Sequence, residues 1–104
     1  MKYFITESKL ENVINKYLDL KDFVILNTSD SYRFYSSRQA VDDEFSLITY
    51  DKRYKDCFIS SLLGEEVCSL FSLQPDNALS IISDWVENKL GVEVESYNSD
   101  FGAD

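Results

Sequence analysis

The chain has 104 residues, of which 44% are apolar, 14% aromatic and 28% charged, with only three Gly and one Pro, a composition that predicts one compact globular domain and excludes two domains or a disordered chain. Ten Lys and Arg stand against 19 Asp and Glu, for a formal charge of −9, and there is no His. Histidine-based triads and zinc hydrolases are thereby excluded. A domain of this size buries roughly 60–70% of the surface its unfolded chain exposes, so no disulfide is needed for a core. Cys57 and Cys68 are too far apart for a CxxC redox pair and lack the further ligands that zinc needs. Each is read as a small buried apolar residue, with a disulfide between them left open by sequence. The opening stretch reaches Glu7 before a signal-peptide apolar region could form, and the longest apolar run, Phe23 to Leu26, is four residues. These features predict a cytosolic protein with no membrane association.

In chain order, Lys2 to Thr6 alternates and predicts a short strand. Leu10, Val13, Ile14, Tyr17 and Leu18 then form one apolar stripe at helical spacing, and Ser8 with Glu11 has the form of a capping box, which predicts a helix over 7–20. Phe23 to Leu26 reads as a buried strand, Asn27 to Ser31 as a turn, and Tyr32 to Ser36 as the returning strand. Ser37 to Glu44 has no apolar periodicity and is expected to be a solvated loop. Phe45 to Tyr50 and Tyr54 to Ile59 alternate around Asp51-Lys52-Arg53 and predict a second hairpin.

From about Ser60 to Leu73 the period becomes helical, Gln74 to Asn77 breaks it, and Pro75 opens a further helix whose apolar face is Leu79, Ile82, Trp85, Val86 and Leu90. Gly91 fits its C-cap, and Val92 to Tyr97 alternates as a last strand. The expected fold is therefore α+β. It has one mostly antiparallel sheet of about five to six short strands, with three helices packed on one face, in a single domain over 1–97 followed by a polar flexible tail over 98–104.

Two segments carry a resemblance. Lys2-Tyr3-Phe4-Ile5-Thr6-Glu7-Ser8-Lys9-Leu10-Glu11, continuing to Lys16-Tyr17-Leu18-Asp19, and the helix-to-strand segment Ile82-Ser83-Asp84-Trp85-Val86-Glu87-Asn88-Lys89-Leu90-Gly91-Val92-Glu93-Val94 resemble the ends of short proteins encoded by contractile-tailed bacteriophages of aquatic and marine bacteria. The resemblance covers about a third of the chain. It implies a viral origin and a shared fold, and carries no activity, ligand or catalytic residue.

The charge is unevenly placed. Residues 1–60 hold nine basic and ten acidic side chains, whereas residues 61–104 hold one basic residue, Lys89, against nine acids, a net of −8. Such a half attracts basic surfaces and speeds encounter with them at low salt. Glu65, Glu66, Asp84, Glu87, Glu93 and Glu95 are the candidate contact residues, each as a surface charge. An opposite signal lies in the hairpins, where Arg33, Arg38, Lys52 and Arg53 interleave with Tyr35 and Tyr54, the mixture of cations and rings that nucleotide and single-strand binders use. The acidic balance excludes long duplex DNA as a partner.

Asp42-Asp43-Glu44 is the one acidic run that could assist catalysis or hold a divalent cation, and its bland reading is a solvated loop. There is no phosphate loop, no EF-hand spacing and no GxSxG. The sequence thus predicts no enzyme, no cofactor and no metal site. The leading expectation is a small viral accessory protein that binds a host protein such as a basic nucleic-acid-handling factor through its acidic C-terminal half, with inhibition as one outcome of binding. The alternatives are a nucleotide or short single-strand binder using the hairpins, and a virion or assembly component.

Overall fold

The computed structural model describes residues 7–42 and 46–99, so the strand expected over 2–6 lies outside the described residues. Helix α1 (Glu7–Leu20) leads into a β meander of β1 (Val24–Asn27), β2 (Ser31–Tyr35), β3 (Ile48–Asp51) and β4 (Asp56–Ile59), with a one-turn helix α2 (Arg38–Asp42) between β2 and β3. Two longer helices, α3 (Ser61–Phe71) and α4 (Pro75–Leu90), carry the chain to β5 (Ser96–Ser99). The five strands form one sheet in the order β1-β2-β3-β4-β5. Every pair is antiparallel except β4 and β5, which are parallel because α3 and α4 form the crossover between them. The class is α+β with a mostly antiparallel sheet, and no helix among the described residues is long and apolar enough to cross a membrane.

Strand alternation sorts the sheet into two faces. Phe34, Ile48, Tyr50, Cys57 and Ile59 point to the helical side and are buried with Ile14 and Leu18 of α1, Leu63 and Val67 of α3, and six apolar residues of α4. On the opposite face a row of paired residues, Leu26, Arg33, Thr49, Phe58 and Asn98, crosses all five strands. Its Leu26 and Phe58 remain exposed. α4 is buried on more than one stripe because it touches the sheet, α1 and α3 together. Phe23, Phe34 and Trp85 meet there with ring centroids 5.6–5.9 Å apart.

Local chemistry sets the boundaries. α3 starts where the Ser60 hydroxyl accepts from the Leu62 N–H, and it ends on Ser72 in the left-handed region at φ 53°, whose N–H returns to the Cys68 carbonyl. Pro75 opens α4, and Gly91 at φ 67° closes it with its N–H on the Glu87 carbonyl.

Four expectations need correction. The run from Phe23 to Leu26, read as a buried strand, forms β1 at the sheet edge with Ile25 and Leu26 exposed, because it pairs with β2 alone. The segment read as a solvated loop contains α2, because Arg38, Gln39 and Ala40 are strong helix formers in a turn too short to show a period. The capping box fails as a start signal, since Ser8 is the second residue inside α1. The last strand is Ser96–Ser99 and does not begin at Val92, so Asn98 and Ser99 belong to it, and the rest of the expected tail, 100–104, lies outside the described residues. Val92 and Val94 alternate because they pack on the core, while the Val94 N–H goes to the Glu87 carboxylate at 2.9 Å and the Glu93 carbonyl accepts from the Tyr50 hydroxyl at 2.7 Å. That segment meets its polar demands without a ladder.

A residue with a Cβ at position 91 is strained in the left-handed region even though nothing lies within 4 Å of the added atom. Gly91→Ala is expected to destabilise the protein by about 1 kcal/mol, with an unchanged m-value, in urea unfolding.

Candidate functional site

The acids proposed as contact residues fall into two settings. On α3, Glu65 is exposed, whereas Glu66 turns towards α1 and pairs with Lys21 at 2.6 Å. Tyr17 joins this pair through a hydrogen bond to Glu66, while its ring meets Phe71 edge-on at 5.5 Å. Burial raises the Glu66 pKa, but the bonds from Lys21 and Tyr17 outweigh it and hold the carboxyl below its ordinary value of 4.5. On Lys21 burial acts downward and the same partners again prevail, so its pKa is raised.

Around the end of α4 the acids have fewer cations. Asp84 is exposed on the outer stripe of α4, and burial followed by the charge of Glu87 raises its pKa. Glu87 spends one carboxylate oxygen on the Val94 N–H. Glu93 pairs with Lys55 at 3.2 Å with both side chains substantially exposed, and Glu95 is exposed nearby, acting on the same ammonium. The structure thus links Asp84 with Glu87, and Glu93 with Glu95, and places Glu65 and Glu66 on another helix.

The basic and aromatic candidates do not share one platform. Lys52 lies 4.5 Å over the Tyr32 ring and donates to Asn27 Oδ1 at 2.6 Å and to the Thr28 carbonyl, so it ties two turns together. Arg33 stands on the outer sheet face with its Nε 3.4 Å from the Ser31 hydroxyl, and Arg38 is exposed on α2. Tyr35 is 2% exposed, which leaves its ring no open face for stacking. Arg53 and Tyr54 stack on each other at 5.5 Å in the exposed β3–β4 turn, whose amides are held by Asp51 Oδ1. Neither cysteine is bonded to the other, and burial pushes the Cys57 thiol up to about 12, which makes it inert. Asp42 is exposed at the end of α2, and Asp43 and Glu44 lie outside the described residues.

A site that the sequence reading missed lies between α1 and α4. Leu10 and Glu11 adjoin Asn77, Ser80 and Ile81, while Asn15 and Asp19 adjoin Trp85, Asn88 and Lys89, so the two helices run side by side in the same direction. Near their C-terminal ends they leave an open groove of about 340 Å³ lined by Asn15, Asp19, Trp85, Asn88 and Lys89. The Trp85 indole N–H donates to Asp19 Oδ1 at 3.0 Å, and the Lys89 ammonium sits 4.0 Å from the same oxygen. The available signal was the spacing of Asn15 and Asp19, and of Trp85 and Lys89, each four residues apart and therefore on one helix face. That the two faces meet is a tertiary fact.

Comparison with protein-family models, with curated proteins and with solved structures finds no match to this chain. Function therefore has to be argued from the residues themselves.

Because the folded-state pKa of Glu66 is depressed, its contribution to stability is present above the unfolded carboxylate value and is lost as pH falls through the folded one. Both partners are partly exposed, so Glu66→Gln is expected to cost no more than about 1 kcal/mol at neutral pH. The difference in melting temperature between the wild type and the variant should close on acidification below 4.5.

Proposed function

We propose that the protein is a non-catalytic binder of a basic protein surface, and that Asp84, Glu87, Glu93 and Glu95 at the C-terminal side of α4 form the contact. The observation that carries this reading is the fate of Lys89. It is the one basic residue after position 60, and it leans towards Asp19 of α1, leaving Asp84 with Glu87 as its charged neighbour. An exposed carboxylate beside a like charge is an electrostatic cost to the folded chain, and a basic partner is what relieves it. In this reading the protein is a small viral accessory factor acting on a host protein, as the resemblance of its ends implies, and binding occupies or blocks the partner's basic surface. Glu65 extends the same field on α3, and Glu66 contributes its charge while held by Lys21.

The structure also says which acids make a clean test. Glu87 and Glu93 have jobs within the fold, so reversing them mixes binding with stability. The Asp84 and Glu95 side chains are exposed and make no hydrogen bond or ion pair among the described residues, the Glu95 contact being its backbone N–H on the Lys55 carbonyl. The raised pKa of Asp84 means that its stabilising contribution is present below the unfolded value and is lost as pH rises through the folded one. Asp84→Asn should therefore raise stability slightly at neutral pH, by no more than about 0.5 kcal/mol.

The double reversal Asp84→Lys with Glu95→Lys is expected to abolish retention of basic proteins from nuclease-treated host lysate at about 50 mM salt, where the wild type retains them and releases them at about 300 mM. Equal retention by the wild type and the variant would overturn the proposal.

A further inference from the structure

We infer that the groove between the C-terminal turns of α1 and α4 is a docking site for a guanidinium group, supplied by an arginine side chain of the basic partner. The inference rests on the proposed capture of a basic surface and names the side chain that anchors it. Three features of the groove select this chemistry. Two parallel helices end beside it, and each helix C-terminus carries partial negative charge. α1 has no basic residue in its last turn and places Asp19 there instead. Asp19 uses Oδ1 for both the Trp85 indole and Lys89, and its Oδ2 accepts no hydrogen bond among the described residues.

Asn15 of α1 and Asn88 of α4 line the same opening, and a carboxamide can turn its acceptor oxygen to a cation. A planar guanidinium carries five donors in a fixed fork and can satisfy acceptors spread in this way, whereas an ammonium presents a single point charge. Lys89 at 4.0 Å is a weak internal occupant that an incoming cation can displace. Asn88 stands one turn beyond Asp84 on α4, so the acidic stripe runs directly to the rim of the groove. The stripe attracts a basic surface, and the groove then selects one of its side chains.

Trp85 is the sole tryptophan and lines the groove, so its fluorescence and its single indole N–H resonance in a nitrogen–proton correlation spectrum report occupancy directly. The probe is N-acetyl-arginine methylamide, with the citrulline analogue as its neutral isostere and the lysine analogue as the ammonium comparison. A saturable shift of the indole resonance is expected with the arginine probe at millimolar concentration, a weaker one with lysine and none with citrulline. Asp19→Asn retains an oxygen for the indole N–H and is expected to weaken arginine binding about ten- to hundredfold. Lys89→Met removes the internal competitor and should tighten binding about two- to fivefold.

Absence of a saturable shift in the wild type, or equal arginine affinity in Asp19→Asn, would overturn the inference. If Asp19→Asn fails to fold, Lys89→Met still decides, since weaker binding in that variant contradicts displacement. Capture of basic proteins that is intact in Asp19→Asn while the arginine probe no longer binds would overturn the anchor and leave the acidic-surface reading standing. Arginine binding in a protein that captures no basic partner would overturn that reading, and with it the assignment of the guanidinium to a partner.

Discussion

The position of α4 depends on one side chain. Trp85 packs against Phe23 from the α1–β1 connection and Phe34 from β2, and its indole N–H is satisfied by Asp19 at 3.0 Å. A buried indole needs both an apolar enclosure and a partner for its one donor, and few sites supply the two together. Here the pair fixes α4 against the sheet and α1 against α4 in a single contact. Removal of an aromatic side chain of this kind costs about 3–5 kcal/mol, against a total stability of about 5–15 kcal/mol for a domain of this size. Everything on the C-terminal side, from the acidic stripe to β5, is positioned by that contact.

The same indole joins structure to recognition. Asp19 is ordered by the Trp85 N–H, and Lys89, one turn after Trp85 on the same face of α4, lies 4.0 Å from that carboxylate. The charge asymmetry visible in the sequence is thereby sharpened, because the one cation of the C-terminal half is turned towards the N-terminal helix. Lys21 does the converse for Glu66, withdrawing one acid from the exposed set. Long-range ion pairs between α1 and the C-terminal helices thus decide which charges remain available to a partner.

Much of the fold was legible because strong local signals agree with the packing. The bounds of α1 follow from a stripe that includes Ile14 and Leu18, both fully buried, and α4 runs from Pro75 to its Gly91 cap. The second hairpin was read from alternation, and Phe34, Ile48, Tyr50, Cys57 and Ile59 of the meander fall on the helical face, while Tyr35 is buried on the other. What escaped was set by partners remote in sequence. Val92 and Val94 alternate like a strand, yet their polar neighbours are met by Glu87 and Tyr50, and pairing with β4 starts only at Ser96. The unequal distribution of charge was likewise legible, but the roles of Glu66, Glu87 and Glu93 within the fold were not, since Lys21, Val94 and Lys55 could not be assigned to them before the chain was folded. The groove escaped because it belongs to two helices that the sequence separates.

The parallel pairing of β4 with β5 has a consequence for how the molecule comes apart. Asp56 bonds to Ser96 across 40 residues, whereas β3 and β4 are joined by the four-residue turn from Lys52 to Lys55. Loop-closure entropy makes the longer connection costlier by about 2 kcal/mol, so a strand of four residues cannot hold that closure unless α3 and α4 are already docked. β5 and the segment leading to it therefore join two parts of the fold, α4 through the Glu87–Val94 bond and the meander through Tyr50, Lys55 and Asp56. Loosening α4 would remove the Glu87 hold on Val94 and weaken the closure of β5, while the hairpins at the other side of the sheet remained paired. The acids of that segment are thus held from two sides, by the helix beneath them and by the sheet beside them.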